Sequence, residues 1–265
     1  MLDTQGTIQS NNVSQLWSSW KNRSYEDITS YTLGMQLPLM SGIIHHILRE
    51  CMISRLMRVT RNRKFKRAVD LGCATGEWTI AYGRLAERVV GVDINESFIE
   101  EAKCKIGDSA EASRIDMHAM NLVDYDDYKD VDLVCSGGCL MYIDDDSLDN
   151  LISKISESIE PGGYVYIRVS VPNPRRKTYY TPKGFYREAS FYEKLCNNHG
   201  LEIVDAASSG TVIGHELLRE LLKKQGNIRF DTTIQEAVRT VLYMRQLLQK
   251  SKRNHHMNWL MQCKR

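Results

Sequence analysis

A short apolar segment that ends near an acid and enters a glycine-bounded turn constrains this chain more than any other feature. It reads Ala68-Val-Asp-Leu-Gly-Cys-Ala-Thr-Gly-Glu-Trp-Thr79, and we call residues 72–76 the glycine loop. Glycine allows a tight turn and a close approach of backbone to ligand, which a Cβ would obstruct. In an open α/β sheet, small ligands bind where loops leave the carboxyl ends of strands. The segment therefore predicts a strand, a ligand-binding loop and a helix.

Strand and helix patterns alternate along most of the chain. Strands are predicted at 68–71, 88–93, 115–118, 131–135, 164–169, 201–206 and about 258–263. Helices are predicted at 77–87, 96–106, 147–160 and 187–199, and residues 171–185 are predicted to form a loop. This alternation predicts an α/β fold with a doubly wound, mostly parallel seven-stranded sheet.

The 265 residues are predicted to form a single domain with two helical additions. Residues 1–64 carry a helical pattern and predict an N-terminal cap. That cap either packs on the core or acts as a lid, with its aromatic side chains over a ligand. The core is predicted at 65–265, with a helical insertion at about 212–252 before the last strand.

Composition and charge limit the partners of the chain. It is 42% hydrophobic and 26% charged, as in soluble globular proteins. The net charge of +2 does not support a highly cationic nucleic-acid binder. No apolar run approaches the roughly 18 residues of a membrane span, and the first residues do not resemble a signal peptide. A basic run from Arg55 to Arg67 leaves two interpretations open, a phosphate-binding surface or a solvated helix end and linker.

Seven cysteines are scattered through helix and strand patterns and form no disulfide framework. They predict a reducing, cytoplasmic location. The pair Cys135 and Cys139 suggests a metal site, but no second Cys/His pair stands at zinc-ligand spacing. Buried thiols, without a metal, are the favoured interpretation.

Two classes of adenosine-containing ligand suit a glycine loop beside a strand that ends in an acid. A dinucleotide site needs the motif Gly-x-Gly-x-x-Gly. Here Ala74 stands at the position of the second glycine and Glu77 at that of the third. The Glu77 carboxylate would also repel the pyrophosphate of a dinucleotide. A ribose-containing ligand without phosphate removes this objection, because Asp93 can accept hydrogen bonds from both ribose hydroxyls. Asp93 could instead be only a turn or helix-capping residue. Asp70, inside the crevice, needs a hydrogen-bonded or cationic partner, such as a ligand ammonium or sulfonium.

Three segments together resemble the class I S-adenosylmethionine-dependent methyltransferases. Val69-Asp-Leu-Gly-Cys-Ala-Thr-Gly76 is similar to the first motif of that family, and Val90-Gly-Val-Asp-Ile94 to the second. Glu160-Pro-Gly-Gly-Tyr-Val-Tyr166 is similar to the motif that opens the fifth strand. The resemblance covers about residues 66–170, in the order and spacing of the family. It implies a Rossmann-like methyltransferase fold and S-adenosyl-L-methionine as cofactor.

The resemblance assigns the first two motifs to the cofactor. Asp70 and the glycine loop would hold the methionine part. The loop residues concerned are Gly72, Cys73, Ala74 and Gly76. Asp93 would hold the ribose, and Ile94 would pack on adenine. Ala74 replaces a glycine that is common in the family.

Two later segments complete the implied cofactor site. Met120-Asn-Leu122 matches a Gly-Asp-Ala type segment of the family. Asn121 would accept from the adenine amine in place of the usual aspartate, and Leu122 would donate a backbone N–H to the ring. Ser136 and Gly137 would end the fourth strand beneath the sulfonium.

The acceptor side of the family lies after the fourth and fifth strands. Tyr142 matches a position often held by histidine, and with His45 and His46 it is a candidate general base or substrate contact. The two histidines are neighbours on one helix, so they cannot both face a pocket.

No Asn-Pro-Pro-Tyr type tetrapeptide follows the fourth predicted strand, as it does in methyltransferases that act on nucleic-acid bases or glutamine. The absence favours a small-molecule acceptor. We predict methyl transfer to an O or N atom of a small molecule, in specialised metabolism, with no membrane or nucleic-acid partner. An RNA or protein methyltransferase, and a cofactor-binding protein without catalysis, remain as alternatives.

Overall fold

The structure of this chain is a computed structural model that describes residues 38–172, 178–181, 184–208 and 256–264. Residues 1–37 of the predicted cap and the insertion predicted at about 212–252 lie outside the described residues. The lid role and the single-domain organisation therefore stay predictions.

A seven-stranded sheet lies at the centre of the described chain. The described chain has nine strands, seven in this sheet and two in a separate hairpin. They are β1 (Phe65–Leu71), β2 (Ala86–Asp93), β3 (Ile115–Ala119), β4 (Leu133–Gly137), β5 (Tyr164–Ser170), β6 (Tyr179–Thr181), β7 (Gly184–Tyr186), β8 (Leu201–Ser208) and β9 (His256–Cys263). The order across the sheet is β3-β2-β1-β4-β5-β9-β8, and β6 pairs only with β7. Strand β9 is antiparallel to both of its neighbours, and every other pairing in this sheet is parallel. The predicted mostly parallel, seven-stranded α/β fold is confirmed.

Helices cover both faces of the sheet. They are α1 (Pro38–Val59), α2 (Glu77–Gly83), α3 (Glu96–Gly107), α4 (Asp145–Ser158) and α5 (Ala189–Asn198). On one face, α1, α2 and α3 contribute Ile53, Tyr82 and Ala102 to a buried cluster. On the other face, α4 and α5 contribute Leu148 and Tyr192 to a second cluster. The two clusters are the layers expected on either side of a doubly wound sheet.

Two predicted boundaries are wrong for physical reasons. The helix predicted at 77–87 ends at Gly83, because Ala86 is already buried in β2, where it pairs with Phe65. The loop predicted at 171–185 contains the hairpin of β6 and β7, in which Tyr180 pairs with Phe185. Aromatic residues on both sides of Pro182 were the sequence signal for that hairpin.

The basic run before β1 forms ion pairs with acids of the sheet. Arg55 of α1 donates through Nε and Nη2 to the two carboxylate oxygens of Asp205 on β8, both at 2.6 Å. Arg63 donates to Asp132 Oδ2 at 3.0 Å, and Asp132 is 2% exposed. These pairs fasten α1 and the turn after it to the sheet. They favour a structural role for the run over phosphate binding.

Candidate functional site

The glycine loop leaves the carboxyl end of β1 and is fixed by its neighbours. Gly72 and Cys73 donate their backbone N–H groups to the carbonyl of Val92 on β2, at 2.8 and 3.0 Å. Gly72 has φ +76°, and a Cβ at this position would lie 2.5 Å from the Cβ and Sγ atoms of Cys139. Both the backbone angle and the space therefore require glycine.

The second half of the glycine loop packs against α3. Gly76 has φ +84° and precedes the first residue of α2. A Cβ here would lie 3.0 Å from the Cβ of Ala102. Ala74, in the middle of the loop, has φ +48°, a left-handed conformation that is uncommon for residues other than glycine. The loop is thus a strained, closely packed turn at the carboxyl end of β1.

Asp93 joins the end of β2 to the glycine loop. Its Oδ2 accepts from the backbone N–H of Ala74 at 2.9 Å, and its Oδ1 accepts from that of Asn95 at 2.9 Å. Burial raises the pKa of this carboxyl, while the N–H groups of Asn95 and Ala74 act in the opposite direction. The N–H of Ile94 acts in the same direction, and a carboxylate with about four acceptor sites keeps capacity for a ligand donor. The turn role and the ligand role considered from the sequence are therefore compatible.

Asp70 lies on β1, just before the glycine loop, and is 2% exposed. The Thr79 hydroxyl donates to its Oδ2 at 2.7 Å. Burial raises its pKa to about 6, although the Thr79 hydrogen bond and the positive charge of Arg168 lower it. Above that pH, the buried site holds a negative charge with one hydroxyl donor. Such a site favours a cationic ligand group.

Replacing Asp70 by asparagine is expected to stabilise the unliganded protein at pH 8 by about 2 kcal/mol. The folded-state pKa of about 6 lies above the ordinary 3.8, so the contribution of Asp70 to stability is full below pH 4 and is lost as pH rises through 6. The shift corresponds to about 3 kcal/mol, from which the buried amide hydrogens of asparagine subtract about 1.

Urea unfolding at pH 8 and pH 4 measures this difference. The advantage of Asp70→Asn should disappear at pH 4. The matched change Asp116→Asn, at an exposed position on β3, should show no such dependence. An advantage of equal size at both pH values would contradict the assignment of the buried charge.

The carboxylate of Glu77, which follows the glycine loop, is held by two neighbouring side chains. Its carboxylate is 2.6 Å from Lys105 Nζ and accepts from the Thr75 hydroxyl at 2.8 Å. Burial raises its pKa, and the charge of Lys105 opposes that shift. The repulsion of a pyrophosphate by Glu77 is therefore weaker than the sequence suggested. The missing glycine at Ala74 remains as evidence against a dinucleotide.

The exposed side chain of Ile94 and the segment Met120-Asn-Leu122 lie beside Asp93. Ile94 is 41% exposed, which is unusual for a large aliphatic side chain. The backbone N–H of Met120 donates to the Asp93 carbonyl at 2.9 Å, which places the next two residues at the same edge. The Oδ1 atom of Asn121 accepts from the backbone of Val123 at 3.3 Å, and Leu122 is partly buried. Their proposed contacts with adenine stay predictions.

The end of β4 lies next to the glycine loop. Ser136 is 4% exposed, and its Oγ is 3.0 Å from the Sγ of Cys139. That thiol donates to the carbonyl of Leu71 at 3.1 Å. Burial raises the pKa of Cys139 to about 12, so it remains a neutral thiol at pH 7. Cys139 is therefore a packing residue rather than a nucleophile.

Arg168 of β5 is a charged residue of this site that the sequence reasoning missed. Its guanidinium carbon is 3.3 Å from the ring centroid of Trp78, the second residue of α2. A Cβ on Gly137 would overlap the Nη2 atom of Arg168. A single arginine in the apolar strand Val165–Val169 was the available sequence signal.

The candidate acceptor-side residues lie on two different elements. Tyr142 ends a 3₁₀ turn, Leu140–Tyr142, after β4, and it lies beside the β6–β7 hairpin at Gly184. His45 and His46 lie on α1, where His45 is partly buried. His46 is exposed, with its Nδ1 3.0 Å from an Arg49 guanidinium nitrogen. The predicted cofactor residues of β1, β2 and β4 share one edge of the sheet, whereas the base role of these three side chains stays a prediction.

Within the described ranges, no group of three or more His, Cys, Asp or Glu side chains is placed to hold a metal ion. All seven cysteines fall within these ranges, and each is a free thiol. No described helix combines the length and the apolar character that crossing a bilayer requires.

Comparisons with known proteins agree with this geometry. Residues 68–163 match the family model for a methyltransferase domain. Phosphoethanolamine N-methyltransferase 1 of Triticum aestivum is 30% identical over 147 residues, which are 52% of this chain and 28% of that protein. The chain spans less than a third of the length of the plant relatives it matches.

Solved structures share the fold. Geranyl diphosphate C-methyltransferase from Streptomyces coelicolor A3(2) superposes with a TM-score of 0.63 at 14% identity, over 97% of this chain and 99% of that chain. Phosphoethanolamine N-methyltransferase 1 of Haemonchus contortus gives 0.64 at 18% identity, over 97% and 49%. Both were determined with S-adenosylhomocysteine, together with geranyl diphosphate and Mg²⁺ in the first and phosphoethanolamine in the second.

The matched segment begins at Ala68 within β1, includes the glycine loop and Asp93, and ends at Gly163 immediately before β5. These are the elements that form the edge described above, and the remaining strands complete the fold shared with the solved methyltransferases. Residues 68–163 of this chain therefore match a methyltransferase domain, and the chain shares the fold of solved S-adenosylmethionine-dependent methyltransferases.

Proposed function

We propose that this chain binds S-adenosyl-L-methionine and transfers its methyl group to an O or N atom of a small molecule. One observation carries the proposal. The glycine loop and the Asp93 carboxylate meet at the carboxyl ends of β1 and β2, inside the segment that matches the methyltransferase domain. The match of residues 68–163 to a methyltransferase domain supports the same ligand.

The residues at this edge fit a phosphate-free adenosyl ligand. Asp93 is proposed to accept from the ribose hydroxyls in addition to its backbone hydrogen bonds. Ile94, next to it, offers an exposed apolar surface for adenine. Asp70 offers a buried negative charge toward the cationic part of the cofactor. The narrow glycine loop leaves no space for larger side chains.

The cofactor supplies an activated methyl group on a sulfonium. The work of the chain is to hold the acceptor atom in line, about 3 Å from that methyl carbon, and to exclude water. An amine acceptor in its neutral form needs no base, whereas a hydroxyl needs one to take its proton. The proposed candidates for the base that accepts this proton are Tyr142, His45 and His46.

Several observations support a small-molecule acceptor. The named relatives act on phosphoethanolamine or geranyl diphosphate, which are small molecules. The ion pairs of Arg55 and Arg63 occupy part of the basic run that a nucleic acid would otherwise contact. The free thiols are compatible with the proposed cytoplasmic location.

Methyl-labelled S-adenosylmethionine, added with the protein to fractionated cell extract, tests the function. We expect label in the small-molecule fraction and none with Asp93→Ala. Label in RNA or protein instead would establish the alternative acceptor classes. Tight cofactor binding without transfer to any fraction would identify a non-catalytic binding protein.

A further inference from the structure

The side chain of Arg168 extends sideways across the end of β4. Arg168 is paired with Gly137 in the β4–β5 register, and its Nη2 occupies the space that a Cβ on Gly137 would need. Its guanidinium then stacks on Trp78, at the start of α2. The charged group therefore lies between the end of β4 and the helix that follows the glycine loop.

This guanidinium forms no ion pair at contact distance with a described residue. Arg168 is partly buried, its Nε is inaccessible to solvent, and this atom has no hydrogen-bond partner within the described chain. The described ion pairs do not include it. The ring of Trp78 supports one face of the cation, but it accepts none of its five N–H donors. A partly buried cation whose Nε lacks a hydrogen-bond partner is stabilised when an anion completes the site.

Asp70 lies on the same face of the sheet. It pairs with Cys135 in the β1–β4 register, and Cys135 and Gly137 point to the same side because strand side chains alternate. The charge of Arg168 lowers the pKa of Asp70, although the two groups form no ion pair. The Asp70 carboxylate and the Arg168 guanidinium thus lie on the same face of the sheet, near the glycine loop, without forming an ion pair.

Separate positive and negative groups at one site match a zwitterion. An α-amino acid carries an ammonium and a carboxylate on one carbon. A guanidinium recognises a carboxylate through two parallel hydrogen bonds, which a lysine cannot reproduce. The methionine part of the proposed cofactor is such a zwitterion, and its implied position is the same loop.

We propose that Arg168, held by Trp78 and given space by Gly137, binds the α-carboxylate of the methionine part of the cofactor, opposite Asp70. This inference rests on the proposed cofactor. It makes Arg168 a binding residue and makes Gly137 a residue that determines where the guanidinium lies.

Calorimetric titration with two ligands tests the assignment. S-adenosylhomocysteine carries the α-carboxylate, whereas 5′-methylthioadenosine keeps the adenosine and the thioether but lacks the amino-acid part. Arg168→Met should weaken S-adenosylhomocysteine about 10- to 100-fold, as expected for hydrogen bonds to charged groups, and leave methylthioadenosine unchanged. The control Arg88→Met removes the same charge at an exposed position on β2 and should change neither affinity.

A second variant keeps the charge and moves it. The Cβ of Gly137→Ala meets only the end of the flexible Arg168 side chain, so the fold should adapt while the guanidinium is displaced. Gly137→Ala should also weaken the binding of S-adenosylhomocysteine and leave the binding of methylthioadenosine unchanged. This variant decides the question if Arg168→Met does not fold.

The outcomes separate the two proposals. If the wild-type protein binds neither ligand, the proposed cofactor is wrong. If it binds both and Arg168→Met weakens both equally, Arg168 has a structural role and the carboxylate assignment is overturned. Unchanged affinity for S-adenosylhomocysteine in Arg168→Met would also overturn it.

Discussion

Replacing Asp93 by alanine is expected to lower the affinity for S-adenosylhomocysteine by at least about 100-fold. The carboxylate is proposed to accept hydrogen bonds from both ribose hydroxyls, and bonds to a charged group contribute about 1.5–3 kcal/mol each. Two such bonds exceed the roughly 2.7 kcal/mol that corresponds to a 100-fold change. Isothermal titration calorimetry of both proteins measures the effect.

The structure adds a second consequence of this change. Asp93 also accepts from the backbone N–H groups of Ala74 and Asn95, so alanine would remove one of the hydrogen bonds that hold the glycine loop to β2. Loss of these bonds should lower the thermal midpoint as well as the affinity. The matched variant Asp116→Ala, exposed on the neighbouring strand β3, should change neither quantity.

A ligand series separates the two roles of Asp93. An S-adenosylhomocysteine analogue without one ribose hydroxyl should bind the wild-type protein more weakly than the parent ligand. Asp93→Ala should discriminate less between the two, because the partner of that hydroxyl is already gone. Equal discrimination by both proteins would assign Asp93 to the loop alone, and near wild-type affinity of Asp93→Ala would contradict the ribose contact.

Local patterns were sufficient to predict the fold and to place the candidate cofactor residues at one end of the sheet. The apolar stripe of α4, which includes Leu148, Leu151 and Ile155, appears in the sequence at helical spacing and is buried in the structure. Asp70 and Asp93 were both predicted at or near the ends of strands. Since parallel strands place their carboxyl ends at one edge, that prediction already brought the two acids together.

The side chains that complete the site depend on contacts between distant segments. Lys105 of α3 forms an ion pair with Glu77. From the sequence, the Glu77 carboxylate was expected to carry an unpaired charge. Arg168 reaches Trp78 across a strand that neither residue belongs to. No periodicity or motif encodes such a contact, because it depends on the strand order of the folded sheet. The same limit applies to the two backbone hydrogen bonds of Asp93.

The Gly72→Ala change is expected to lower the free energy of unfolding by about 2–5 kcal/mol. Two independent terms contribute. A left-handed backbone such as φ +76° costs a residue with a Cβ about 1–2 kcal/mol. The new methyl group would also lie 2.5 Å from Cys139, and such overpacking costs about 1–3 kcal/mol. Urea unfolding at 25 °C, with an unchanged slope, measures the sum.

Substitutions at two other glycines measure the backbone contribution and the packing contribution separately. Gly138 has φ +79° but no atom within 4 Å of its Cβ position, so Gly138→Ala should show the backbone term alone. Gly107, the last residue of α3, has neither constraint, and its change to alanine should be neutral or slightly stabilising. If Gly72→Ala destabilised no more than Gly138→Ala, the contact with Cys139 would be soft and would not define the loop. A clear excess would show that β4 fixes the shape of the glycine loop from the side opposite Asp93, so the cofactor site depends on both neighbours of β1.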